Sequence, residues 1–112
     1  MMERIKKYLS DILISIELIE DFSQNTLNFA DYQSDMKTQS AVERQLAIIG
    51  EALNKISKEK DSIDIRNAKQ IIGLRNRLIH AYDSIDNAIV WAILKNHLPG
   101  LKIEIQEVFS TK

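Results

Sequence analysis

Eight consecutive residues, Arg75-Asn76-Arg77-Leu78-Ile79-His80-Ala81-Tyr82, carry two guanidinium groups, an amide, an imidazole and a phenol. A guanidinium stays charged and grips phosphate-like oxygens with paired N–H donors. An imidazole takes or gives a proton near neutral pH. The chemistry these groups could do together is to hold an anion and move a proton beside it. The surrounding charge points the same way. From Ile65 to Tyr82 there are four bases, Arg66, Lys69, Arg75 and Arg77, and no acid. The 64 residues before this stretch hold 12 acids against 8 bases, and the 30 after it hold 4 against 3. A formal net charge of -1 therefore hides a local positive patch, and any phosphate binding must come from local arrangement.

The rest of the chain must position that stretch. Its 112 residues suffice for one domain, 1–112, with a single core. There is no cysteine, which excludes disulfides and thiolate metal sites, and only two histidines, His80 and His97. Zinc is not expected, and neither is any other cofactor. No long apolar run follows the N-terminal Met-Met-Glu-Arg-Ile-Lys-Lys. A soluble, cytoplasmic protein without signal peptide or membrane span is the expectation. Three glycines and one proline, with abundant Leu, Ile, Ala, Lys and Glu, favour an all-α domain.

Hydrophobic spacing predicts an antiparallel bundle of four to five helices. Ile5, Leu9, Ile12, Ile16 and Ile19 alternate steps of four and three over a first helix from Met2 to about Ser23. Tyr8, Leu13 and Phe22 widen its apolar face. Gln24 to Ser34 reads as a loop with a short turn anchored by Leu27, Phe29 and Tyr32. A second helix, Asp35 to about Ser57, has Val42, Leu46, Ile49, Leu53 and Ile56 as its stripe, flanked by Ile48 and Ala52. Glu51 falls roughly opposite that stripe, where a solvated carboxylate paired with Lys55 is expected. After the charged loop 58–64, Asp64 is a plausible N-cap for a third helix, Ile65 to His80. Asp83-Ser84-Ile85-Asp86 reads as a turn, with Ser84 or Asp86 capping a short fourth helix to Asn96. Ile85, Ile89, Trp91 and Ile93 supply its contacts. Pro99 suits the first turn of a last helix buried by Leu101, Ile105, Val108 and Phe109.

On a helical wheel centred on Ile71, Arg75 and Tyr82 share the apolar stripe with Leu74 and Leu78. A guanidinium there must be paired or must open into a cleft, because burying a lone charge is too costly. Asn76 and His80 share another face, roughly 140° from the stripe's centre. One ideal helix does not point Arg75 and His80 the same way. Either the helix ends before His80, or long side chains wrap toward one groove, or a second subunit completes the site. A homodimer cleft is favoured, because it also uses the apolar flank of Ile72 and Ile79.

The Arg75…His80-Ala81-Tyr82 stretch resembles the Arg-x4-His-x-Tyr motif of the HepT branch of the HEPN (higher eukaryotes and prokaryotes nucleotide-binding) domains. Ala41-Val42-Glu43-Arg44-Gln45-Leu46-Ala47-Ile48-Ile49-Gly50-Glu51-Ala52 is similar to that family's second-helix signature, and Leu98-Pro99-Gly100-Leu101 to the start of its last helix. The likeness runs from about residue 5 to residue 109. It departs at Ile65-Arg66-Asn67, which lacks a tryptophan common in relatives. The resemblance implies a homodimeric helical bundle with the motif at the dimer cleft, and a metal-independent endoribonuclease serving as the toxin of a toxin–antitoxin pair. It implies Arg75 and His80 as the catalytic pair, Asn76 as the polar residue beside the arginine, and Glu51 as a cleft residue. It further implies a minimal nucleotidyltransferase antitoxin that transfers AMP to Tyr82. Arg66, Lys69 and Arg77 would hold flanking phosphates of the RNA. Two other readings remain: a non-catalytic nucleotide-binding subunit of a nucleotidyltransferase complex, and a helical adaptor.

Overall fold

The computed structural model describes residues 2–80 and 85–110. Six helices follow in order among these residues: α1 (Met2–Phe22), α2 (Phe29–Gln33), α3 (Met36–Ser57), α4 (Ala68–His80), α5 (Asn87–Asn96) and α6 (Leu98–Ser110). The architecture is an all-α bundle of five longer helices plus one single-turn helix. No helix among the described residues is long and apolar enough to cross a membrane.

The four-three stripes form the core as their spacing predicts. Ile5, Leu9, Ile12, Ile16 and Ile19 of α1 are buried, and so are Val42, Leu46, Ile49, Leu53 and Ile56 of α3. These two helices run antiparallel, since Lys55 near the end of α3 lies over the ring of Tyr8 near the start of α1. Arg4 likewise meets Glu59, just beyond α3. The α3–α4 pair is also antiparallel: Gly50 abuts Ile71 and Arg75, while Leu53 and Ile56 share a depression with Ala68 and Ile72. On the other side of α1, Glu20 accepts from Lys102 of α6. Ile71 and Leu74 close the core from α4, and Leu98, Leu101 and Ile105 from α6.

Several helix ends have identifiable causes. Asp35 caps α3 by accepting from the Thr38 backbone at 3.0 Å, and Asp86 caps α5 through Ala88 at 2.9 Å. Pro99 sits in the first turn of α6, where its missing N–H is tolerated. The Asp83-Ser84 part of the expected turn, like Tyr82, lies outside the described residues.

Residues 29–33 form the expected short turn, as a helical turn started by Asn28 accepting from Asp31, but four expectations need correction. Tyr32 is buried there against Trp91, but Leu27 anchors nothing and is 79% exposed. In α5, Val90 and Leu94 join Ile93 in the inward positions while Ile89 stays 37% exposed, and Phe22 at the end of α1 is 39% exposed. Finally, α4 starts at Ala68 rather than Ile65, and Asp64 does not cap it. The carboxylate doing that work comes from α6: Glu104 accepts from the backbone N–H groups of Arg66 at 2.8 Å and Asn67 at 3.2 Å. A carboxylate 40 residues downstream is invisible to local spacing rules.

Candidate active site

Helix α4 bears the chemical side chains, and its contact with α3 sets their positions. Gly50 makes the contact possible. A Cβ built there would lie 3.1 Å from the Ile71 carbonyl and 3.0 Å from Arg75 Cγ, and closer still to Arg75 Cβ. With no side chain at Gly50, the aliphatic stem of Arg75 crosses α3 and carries its guanidinium to the rim. Arg75 is thus the core-stripe cation that spacing demanded, with a side chain 19% exposed.

The guanidinium is paired. Its Nη2 donates to Glu51 Oε1 at 2.7 Å, and its Nη1 donates to Asn76 Oδ1 at 3.0 Å. Its Nε is buried without a hydrogen-bond partner among the described residues. Glu51 is therefore more than the surface partner of Lys55, whose Nζ stands 4.0 Å from the other carboxylate oxygen. The hydrogen bond and charge of Arg75 hold the Glu51 carboxyl below the usual range, with Lys55 and Lys58 adding to this. A wheel drawn for one helix placed Glu51 away from its own stripe correctly, but could not show the neighbouring helix that meets it.

Asn76 and His80 are both exposed on the outward side of α4. Over five residues the helix turns by about 500°, so Arg75 and His80 leave it roughly 140° apart. The helix runs unbroken to His80, so the chain does not resolve that divergence by unwinding early. Asn76 is bonded to Arg75, and no bond joins it to His80 among the described residues. Beside the Arg75–Glu51 pair lies a groove of about 720 Å³, whose lining includes Tyr8, Glu43, Ile48, Lys55, Leu78 and Ile79. Burial pushes the Glu43 carboxyl up.

The other expected cations are distributed along α4. Lys69 and Arg77 are exposed and pair with no carboxylate among the described residues. Arg66 instead has its Nε 3.4 Å from Glu104, at the far end of the helix from His80. Glu104 belongs to a network that sequence reasoning missed. It also accepts from Asn67 Nδ2 at 2.7 Å, and Asn67 Oδ1 meets His97 Nδ1 at 3.0 Å. Burial pushes the Glu104 carboxyl up, but the bonds from Arg66 and Asn67 outweigh burial and hold it below its usual value. Gly100 leaves room for Asn67, whose Nδ2 would lie 2.7 Å from a Cβ there. Among the described residues no group of three or more His, Asp or Glu side chains could hold a metal ion.

The fold is an all-helical bundle whose α4 bears Arg75, Asn76 and His80 and sets Arg75 against Gly50 and Glu51 of α3. Comparison with known proteins gives the family: residues 12–108 match the family described as Ribonuclease HepT-like, and the chain belongs to it. It is 38% identical over 104 residues to the probable ribonuclease HepT of Thermococcus cleftensis, covering 92% of this chain and 94% of that one. It is 36% identical over 110 residues to a Methanocaldococcus jannaschii protein named "putative RNase", covering 93% and 86% of the two chains. A Caldanaerobacter subterraneus protein of the same description is 30% identical over 108 residues, covering 96% of each. No solved structure matches the chain.

Proposed function

We propose that this member of the HepT-like ribonuclease family cuts RNA without a metal ion, through Arg75 and His80 brought together from two copies of the chain. The carrying observation is the Arg75 guanidinium, held at a groove rim by Glu51 and Asn76 on the helix that ends in an exposed His80. A second copy, related by a two-fold axis, answers the 140° divergence within one helix. The exposed Ile48 and the half-buried Leu78 and Ile79 supply apolar surface beside the pair for that contact.

The RNA 2′-hydroxyl is the nucleophile. One imidazole takes its proton as the 2′-oxygen bonds to phosphorus, and the second imidazole gives a proton to the departing 5′-oxygen. Arg75 binds the non-bridging oxygens as charge builds on them. The products carry a 2′,3′-cyclic phosphate and a 5′-hydroxyl. In the cell the chain acts as a toxin. A minimal nucleotidyltransferase silences it by attaching AMP to Tyr82, which adds bulk and negative charge where RNA phosphate must sit.

Induced expression tests this reading. Wild-type protein should arrest growth and Arg75→Ala should not, with new RNA 5′ ends found only for the wild type. Equal growth and identical RNA ends would contradict it, and would favour the nucleotide-binding subunit.

A further inference from the structure

The side of α4 opposite the Arg75–Glu51 contact carries a second groove. It holds about 520 Å³ between α4 and α5, within the roughly 300–1,000 Å³ typical of ligand sites. Its polar lining is Lys69, Gln70, Arg77 and His97, with no carboxylate among the lining residues. Leu74, Ile89, Ala92 and Ile93 supply an apolar floor. Gly73 keeps the wall low, since a Cβ there would meet nothing within 4 Å.

The His97 ring is fixed by its neighbours. Ionised Glu104 only accepts, so the Asn67 amide nitrogen must face it and Asn67 Oδ1 must face the imidazole. His97 Nδ1 therefore carries the hydrogen, and Nε2 is the ring nitrogen left for a ligand. Around α4, Lys69 and Arg77 stand about 80° apart, with His80 between them in angle. Along the axis Lys69 and Arg77 are separated by about 12 Å. His80 thus stands on a ridge with Arg75 on one flank and this groove on the other.

We propose that the α4–α5 groove is a second nucleotide-binding subsite. It takes single-stranded RNA flanking the cut, with backbone phosphates at Lys69 and Arg77, a base on the apolar floor, and His97 Nε2 accepting from an N–H of that base. The charge pattern selects a polyanion, and the floor selects one that carries flat apolar faces. The subsite rests on the ribonuclease reading only for the identity of its ligand as substrate.

The test uses the full-length protein and a fluorescent single-stranded 2′-O-methyl RNA, which lacks the nucleophilic hydroxyl, with binding followed by anisotropy at several salt concentrations. Lys69→Ala and Arg77→Ala should each weaken binding by roughly three- to tenfold and flatten the salt dependence by about 0.7 in log–log slope. Ala92 is exposed, so Ala92→Glu and Ala92→Lys leave the core untouched. Glu should weaken binding and Lys should strengthen it. Equal affinity for the two Ala92 variants, wild-type affinity for the Lys69 and Arg77 variants, or no binding by the wild type would each overturn the subsite. Unchanged RNA affinity with loss of a co-purifying protein partner would overturn it in favour of protein docking. Cleavage of all-ribose RNA by the wild type is scored in parallel. Binding that shifts as stated without any cleavage keeps the subsite and removes the ribonuclease reading; cleavage with insensitive binding does the reverse.

Discussion

Gly50 of α3 lies directly beneath the Arg75 stem of α4, with Arg75 Cγ 3.0 Å from where a Cβ would stand. A mid-helix glycine ordinarily costs up to about 1 kcal/mol against alanine. Here the alanine methyl would meet side-chain carbon at the base of Arg75, not the mobile end of a chain. Overpacking of that kind costs about 1–3 kcal/mol. Gly50→Ala should therefore lower stability and displace the guanidinium, whereas Gly73→Ala, facing open space, should raise stability by up to about 1 kcal/mol. Urea denaturation of the two variants checks the opposite signs.

Glu51 positions Arg75. Glu51→Ala should leave a folded protein whose RNA cleavage falls between about ten- and a hundredfold, since a misplaced group near the reaction has effects of that size. Glu51→Gln, which still accepts a hydrogen bond, should fall between the wild type and Glu51→Ala. Kinetics beside circular dichroism spectra separate loss of position from loss of fold.

Glu104 gives the fold a sensitivity to acid. Its folded carboxyl titrates below its ordinary value of 4.5, so its contribution is complete above that value and is lost as pH falls through the lower, folded one. Glu104→Ala removes bonds to two backbone N–H groups and to Asn67, and should cost about 1–3 kcal/mol at neutral pH. The gap between wild type and variant should narrow below pH 4.5, as denaturation curves at a series of pH values would show.

Tyr82 tests the regulatory proposal. Co-expression with a cognate minimal nucleotidyltransferase should add the mass of AMP to the wild type and not to Tyr82→Phe. Intact-protein mass spectrometry reads this directly, and an unmodified wild type would contradict it.

The longer helices were legible because core burial repeats locally: every stripe position of α1 and α3 is buried. Arg75 was legible as a cation needing a partner or a cleft, from its place on the Ile71 stripe. Its ion pair with Glu51 and its close approach to Gly50 were not legible from spacing, because both reach it across a helix pairing that one wheel cannot represent. Gly50 did leave a signal, a glycine in the middle of a strong helical pattern. The Glu104–Asn67–His97 network left less, since its members are separated by 30 and 37 residues.

The most direct measurement is the chemistry of the RNA ends produced by purified protein in excess EDTA. Wild type should release fragments ending in 2′,3′-cyclic phosphate and 5′-hydroxyl, and Arg75→Ala and His80→Ala should release none. Cleavage that stops on chelation, or that persists at the wild-type rate in His80→Ala, would contradict the account.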